Sequence, residues 1–322
     1  MKTNLVQENG YGEDEYSMEA AKLIRSAIAK PGAAVHLVSG GTQANLLVLG
    51  ALLKPYQSVI ATTSAHIAVH EAGAIEATGH KINTVESKDG KITPQQIREV
   101  VAAHADEHMV QPRVVFISQS TEVGTIYSKK ELTDISAVCK ELNLLLYVDG
   151  ARLASALTSV RSDIDIVELA GLVDVFYIGG TKNGALLGEA IIIVNPDLQS
   201  DFRYHLKQHG ALLSKGRTIG VQFGELFRDG LYLELGRHAN IMAQKLADGL
   251  RASGFAFLTD PATNQIFPIL PNGLIERLKA DYGFHLWQKI DDSQTAIRLV
   301  TSWATGEEAV AGLLEEMRRI QK

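Results

Sequence analysis

Three short stretches carry residue types that can do chemistry together. In DVFYIGGTKNGALLGEA, residues 174–190, Lys182 follows an apolar run and stands among glycines. A lysine in a partly dry site near other cations loses its proton readily and becomes an amine nucleophile, the requirement for an imine with a carbonyl compound. The plain alternative is a solvated turn lysine. A nucleotide-triphosphate loop is disfavoured, because G-x-x-x-x-G-K-[ST] needs Ser or Thr where Asn183 follows. In LLLYVDGARLASA, Asp149 ends an apolar run and Arg152 comes three residues later. A carboxylate at the end of a central strand is partly desolvated, so it must find a cation or a hydrogen-bond donor. Arg152 could be that partner, or a ligand could be. In HLVSGGTQANLLVLGALLK, Ser39, Gly40, Gly41 and Thr42 precede an apolar helix expected to start near Gln43. Such a start suits a phosphate, since free N–H groups and the helix dipole point at it; a glycine turn with Thr42 as a plain N-cap is the alternative.

The elements that must position these residues are a set of β-rich apolar runs, SVIAT, HKINTVE, RVVFIS, LLLYVD, DVFYIG and AIIIVN, separated by amphipathic stretches between about residues 30 and 195. This alternation predicts an α/β domain around a mainly parallel sheet flanked by helices. Ligands of such sheets gather outside the carboxyl ends of the strands, where Asp149 and Lys182 fall. Thr93 and Pro94 predict a capped helix start, and KKELTDISAVCKEL a further helix. A long helical pattern from about 218 to 253 breaks near Gly230 and closes at Gly254. Beyond it, FAFLTD, NQIFPILP, LIERLKADYGF, AIRLVTSW and TGEEAVAGLLEEMRRI predict a small C-terminal α+β domain.

The chain has 322 residues, 46% hydrophobic and 21% charged, with a formal net charge of −6 and no long like-charge block. Such a surface gives no reason to expect a nucleic-acid or membrane partner and favours small-molecule chemistry. The lone Cys139 and an N-terminus without the apolar stretch of a signal peptide lead to the expectation of a reducing cytoplasm. No apolar run approaches the roughly 18 residues needed to span a bilayer.

A phosphate cradle, a strand-end carboxylate and a lysine on one sheet are together what pyridoxal 5'-phosphate requires: a helix N-terminus for the phosphate, an acid for the pyridine nitrogen, an amine for the aldehyde. The glycines beside Lys182 would keep the backbone clear of the flat ring. YGEDEYS, SGGTQAN, AHIAVHEAGAIEATGHK, YVDGARLASA, GGTKNGALLGEA, SKGRTIGVQF and AIRLVTSWAT run in family order over nearly the whole chain. In these motifs the sequence resembles the threonine aldolase branch of the fold-type-I pyridoxal phosphate enzymes, the β-eliminating lyase and threonine aldolase superfamily.

The resemblance implies an aspartate-aminotransferase-like fold with an N-terminal segment and active-site loop (1–29), a large cofactor-binding domain (30–230), and a bridging helix with a small C-terminal domain (231–322). It implies that Lys182 binds the cofactor aldehyde, Asp149 holds the pyridine nitrogen, Gly40, Gly41 and Thr42 take the phosphate, and His66 stacks on the ring. Arg152 and Arg298 would hold the substrate carboxylate, with Arg152 also near the cofactor; Arg217 would reach the phosphate across a subunit interface, and Tyr11 would border the site. A homodimer or homotetramer with sites at the interface follows. Only ten residues precede Tyr11, so the small hydroxyl residue that relatives supply upstream is replaced or lies outside the sequence. Glu122 stands where the aldolase loop usually has histidine, leaving His66, Glu122 or a water held by them as the base.

The implied reaction is aldol cleavage of L-threonine, L-allo-threonine or a related β-hydroxy amino acid to glycine and an aldehyde. β-Elimination from a β-substituted amino acid is the alternative. Two further readings compete. Metal hydrolysis is suggested by His66 and His70 in HIAVHE and by the H-x-x-E-H pattern from His104 to His108 on a helix. A non-catalytic relative that kept the fold is the other.

Overall fold

A computed structural model describes residues 2–321. The central sheet contains β1 (Ala34–Val38), β2 (Gln57–Thr62), β3 (Lys81–Val85), β4 (Gln111–Ser118), β5 (Leu145–Asp149), β6 (Val175–Gly179) and β7 (Glu189–Ile193), in the order β1-β7-β6-β5-β4-β2-β3. Strands β2 to β6 are parallel, and β7 is inserted antiparallel between β6 and β1. The sheet is mainly parallel, as expected. Its middle strands β5, β6 and β7 are buried along their whole length, because helices cover both faces. One face packs Leu146, Val148, Phe176, Ile178 and Ile192; the other packs Tyr147, Tyr177, Ile191 and Ile193. β1 is an addition to the six strands expected. AVHLV is mostly half-buried and has His36 at its centre, so it lacks a clean apolar run.

Local chemistry explains where helices begin. In α1 (Glu15–Ala27) the Asp14 carboxylate accepts both the backbone N–H and the hydroxyl of Ser17 at 2.8 Å. Helix Pro94–Ala103 has the expected proline start, completed by a Thr93/Gln96 capping box, and helix Lys129–Glu141 has the same device in Ser128 and Glu131. α2 runs from Gly41 to Leu52 with Gly40 at its N-cap, two residues earlier than expected. Thr42 therefore lies inside the helix and is not its cap. No side chain caps α2, while the Gln43 carboxamide oxygen reaches back to the N–H and hydroxyl of Ser39.

Helix Arg217–Leu226 is followed by a break at Gly230 (φ 81°) and by the long helix Leu231–Ala252, matching the expected interruption. The C-terminal sheet consists of β8 (Gln265–Ile266), β9 (Ile269–Pro271), β10 (His285–Lys289) and β11 (Gln294–Val300), with the other three strands antiparallel to β11. A separate core of Leu246, Leu250, Ile297, Leu299, Leu313 and Met317 joins this sheet to the long helix and to helix Glu307–Gln321. FAFLTD forms no strand, only a bridge between Phe257 and Pro268. Among the described residues no helix is long and apolar enough to cross a membrane.

Candidate active site

The carboxyl ends of the parallel strands open into a cleft of about 610 Å³ whose far wall is the C-terminal sheet. Lys182, on a short turn after β6, Arg152 after β5, Glu122 after β4 and His66 after β2 all line it. Arg298 from β11 and Trp287 from β10 face them, with Gln265 and His70 beside. Six of the residues singled out in the sequence thus meet in one place: Lys182, His66, His70, Glu122, Arg152 and Arg298.

Asp149, at the end of β5, is not part of the cleft lining; it stands behind it as a floor, close enough to act on Lys182, Arg152 and Glu122. It is 4% exposed. Its Oδ1 accepts the Tyr177 hydroxyl at 2.5 Å and the Ala151 N–H at 2.9 Å, and its Oδ2 accepts the Asn45 amide at 3.3 Å. These donors satisfy a buried carboxylate without a cation. The alternative of an Asp149–Arg152 ion pair is not realised: the Arg152 side chain makes no hydrogen bond or ion pair among the described residues, and its Nε is buried without a partner. The Arg298 Nε is likewise unpartnered, while its guanidinium lies over the Trp287 ring, 5.3 Å from the centroid.

The electrostatics follow from this crowding of cations in a dry place. Burial first, and the Arg152 guanidinium second, lower the Lys182 pKa against the opposite pull of Asp149 and Glu189. Burial, then Arg298, brings Arg152 down to about 10. Glu122 is raised by burial, in part offset by the Ser118 hydroxyl that donates to it at 2.6 Å. Glu189, at the start of β7, is pushed up to about 7 by burial, and the Gly180 N–H that it accepts at 2.8 Å holds it back.

The glycines around Lys182 serve a different purpose from the one expected. A Cβ on Gly180 would stand 2.7 Å from the Gly188 carbonyl oxygen and 2.8 Å from the Phe223 ring. Gly188 has φ 118° and would put a Cβ 2.6 Å from Ile219. They let the lysine turn pack against the protein; clearance for a ring does not explain them. Gly41 has a functional tie: its Cβ position is 3.0 Å from the Tyr177 hydroxyl oxygen, so the α2 start presses on the group that binds Asp149. Gly40, Gly41 and Thr42 stand outside the cleft lining, at this helix start.

Tyr11 and Arg217 lie elsewhere in the chain. Arg217, 8% exposed at the start of its helix, donates to the Val6 carbonyl at 2.8 Å. Tyr11 borders a second cavity of about 340 Å³ with His36 and Arg203, its ring under the Lys207 ammonium. The H-x-x-E-H pattern does not lie on a helix: helix Pro94–Ala103 stops before His104, and His108 pairs with Asp106 at 3.3 Å. His66 and His70 have rings 5.4 Å apart and tilted, and among the described residues no group of three or more potential ligands is placed to hold a metal.

Asn45, Tyr177, Glu189, Trp287 and Gln265 are site residues that sequence reasoning missed. Asn45 had a signal, a lone amide inside the apolar helix NLLVLGALL. Trp287 and Gln265 had none, being carried on short strands without alternation.

The β-eliminating lyase family model matches residues 1–306. The chain belongs to this family. A low specificity L-threonine aldolase from a Pseudomonas species is 37% identical over 99% of the chain and 92% of that protein. Its counterpart from Pseudomonas aeruginosa is 36% identical with the same coverage. Among solved structures, threonine aldolase from Leishmania major superimposes with a TM-score of 0.98 at 46% identity, covering 100% of this chain and 94% of that one. A putative L-allo-threonine aldolase from Listeria monocytogenes, at 17% identity and TM-score 0.76 over 99% of this chain and 90% of that one, shares the fold.

Proposed function

We propose that this chain is a pyridoxal phosphate-dependent aldolase that cleaves L-threonine, L-allo-threonine or a related β-hydroxy amino acid to glycine and an aldehyde. The observation that carries the reading is that Lys182 and two unpaired arginines line one cleft, with Asp149 buried behind them and acting on Lys182 and Arg152. Residues of this kind fit the cofactor. Lys182 is a cleft-lining amine, exposed on its turn, with a lowered pKa, Asp149 is an acceptor held without a cation, and the uncapped α2 start at Gly41 and Thr42 offers N–H groups to a phosphate. Relatives named threonine aldolase support the substrate class.

When bound, the cofactor supplies a sink for the electron pair released at the substrate α-carbon. The chain does the rest. Arg152 and Arg298 take the substrate carboxylate with forked hydrogen bonds, and this contact sets which bond at the α-carbon stands in position to break. Asp149, fixed by Tyr177, Ala151 and Asn45, would hold the cofactor's pyridine nitrogen in its protonated form and so favour the charge that develops in the transition state. Lys182 would hold the cofactor aldehyde, and its lowered pKa favours the neutral amine that this contact needs. His66 and Glu122 are the groups placed to move the β-hydroxyl proton.

Tyr11 and Arg217 fit this reading as residues that serve a neighbouring subunit in a homodimer or homotetramer, since neither reaches the cleft of its own chain. A cytoplasmic location agrees with the free, buried Cys139, whose thiol burial pushes up to about 12. The test is product analysis of the purified protein with pyridoxal phosphate. Acetaldehyde and glycine from L-threonine or L-allo-threonine are expected; pyruvate and ammonia from β-substituted amino acids, with no aldehyde from any β-hydroxy amino acid, would establish the elimination chemistry in its place.

A further inference from the structure

Beneath the cleft a second buried carboxylate, Glu71, is tied to the same network as Asp149 and has no role in the chemistry above. Glu71 is 6% exposed. Its Oε1 lies 2.8 Å from His66 Nδ1 and 2.7 Å from Asn45 Nδ2, and its Oε2 is buried without a partner. The Asn45 amide sits between the two acids, donating one hydrogen to Glu71 and the other to Asp149 at 3.3 Å. The Asn45 carbonyl oxygen accepts the Tyr147 hydroxyl at 2.8 Å. A flipped amide would aim its oxygen at two carboxylates, so its orientation is set.

That orientation decides the protonation of His66. The oxygen that meets Nδ1 also accepts from Asn45, and an Oε1 without a proton can only accept, which makes Nδ1 the donor. The ring proton of the neutral imidazole is then on Nδ1 and Nε2 carries a lone pair. Nε2 has no partner among the described residues, and the His66 side chain is 34% exposed, lining the cleft. The backbone of His66 is fixed as well: its N–H donates to Glu122 Oε1 at 3.0 Å, the atom that also receives the Ser118 hydroxyl. Two carboxylates therefore hold His66, Glu122 at the main chain and Glu71 at the ring.

We infer that Glu71 is a positioning residue that locks His66 as the Nδ1–H tautomer, leaving Nε2 as the base for the substrate β-hydroxyl. The proton step rests on the aldolase reading above. The O–H bond breaks and its proton passes to Nε2; the oxygen pair closes the aldehyde C=O as the Cα–Cβ bond parts. The α-carbon of glycine regains a proton, so substrate and products balance without a further reagent. Glu122, the residue at the place of the usual loop histidine, has one oxygen occupied in holding His66 and Ser118.

The experiment uses the holoenzyme labelled with ¹⁵N-histidine, at pH 8.5, above the ordinary imidazole range, with His66→Asn to assign the resonance. Two-bond proton–nitrogen spectra should give a protonated Nδ1 and a bare Nε2 for His66. A proton on Nε2 in the wild type overturns the inference outright, with no need for any variant to fold. Glu71→Ala should shift the proton toward Nε2 and lower kcat about 10- to 100-fold, the range of a misplaced general base, with KM nearly unchanged. Glu71→Gln, whose carbonyl Asn45 holds in the same place, should restore the tautomer and most of kcat. Equal losses in Ala and Gln variants, or an unchanged tautomer in Glu71→Ala, overturn the positioning role. The expected tautomer in a wild type that releases no aldehyde overturns the aldolase reading and the proton step, and leaves the Glu71–His66 lock in place.

Discussion

The floor and the far wall of the cleft are built on opposite principles. On the floor, Asp149 has three donors, Tyr147 and Tyr177 each give their proton to a fixed acceptor, and Asn45 spends both amide hydrogens. Burial and nearby carboxylates raise both tyrosines well above the ordinary phenol value, so they remain donors. On the wall, the Arg298 Nε and the Gln265 Oε1 have no partner, and Arg298 rests on Trp287 with no acid beside it. A network whose donors are all spent, with Glu71 Oε2 as an acceptor left over, suits a group that stays in place through every turnover, because it costs no rearrangement. An unspent donor and an unspent acceptor suit a ligand that comes and goes, since a standing ion pair would have to be broken first.

This contrast is broken most severely at the floor. Asp149→Asn keeps the shape and removes the charge, and kcat should fall about 10²- to 10³-fold, the size of one lost preorganised electrostatic contact; steady-state aldehyde release checks it. Glu189, below the lysine turn, adds a pH signature. Its carboxyl is raised from 4.5 to about 7 in the folded chain, so the folded state binds more protons than the unfolded state between those values. Its effect on stability is absent below pH 4.5 and grows into a loss of about 3 kcal/mol as pH rises through 7. Urea unfolding of the apoprotein should show that decline, and Glu189→Gln should flatten it.

At the wall the effects are smaller and fall on binding. Arg298→Lys replaces a fork with a point charge and should raise KM for the amino acid roughly tenfold, with a lesser change in kcat. Trp287→Ala removes a cation–π contact worth about 0.5–2 kcal/mol, and should raise KM a few-fold. A kcat loss at the wall as large as that at the floor would erase the distinction between the two regions.

The same contrast explains what could be read from sequence. Lys182, Asp149 and Arg152 were legible because parallel strands bring their carboxyl ends together, and strands buried on both faces announce themselves as apolar runs. His66, Glu122 and Arg298 came through family motifs. Trp287 and Gln265 were not legible: β10 is largely exposed and β8 has two residues, so neither has a pattern to betray which side chain faces the cleft. The alternative of Thr42 as N-cap fails because the cap is Gly40, and glycine has no side chain to announce one. The glycines near Lys182 were read as ring clearance, while their neighbours, Phe223 and Ile219, come from a helix distant in sequence.

The central claim is that Lys182 is the residue joined to the cofactor. Borohydride reduction of the protein with pyridoxal phosphate, followed by peptide mass analysis, tests it directly. The account predicts a pyridoxyl group on Lys182 in the wild type and its loss in Lys182→Ala. A wild type that takes up no label, or a label on another lysine that persists in Lys182→Ala, would contradict it.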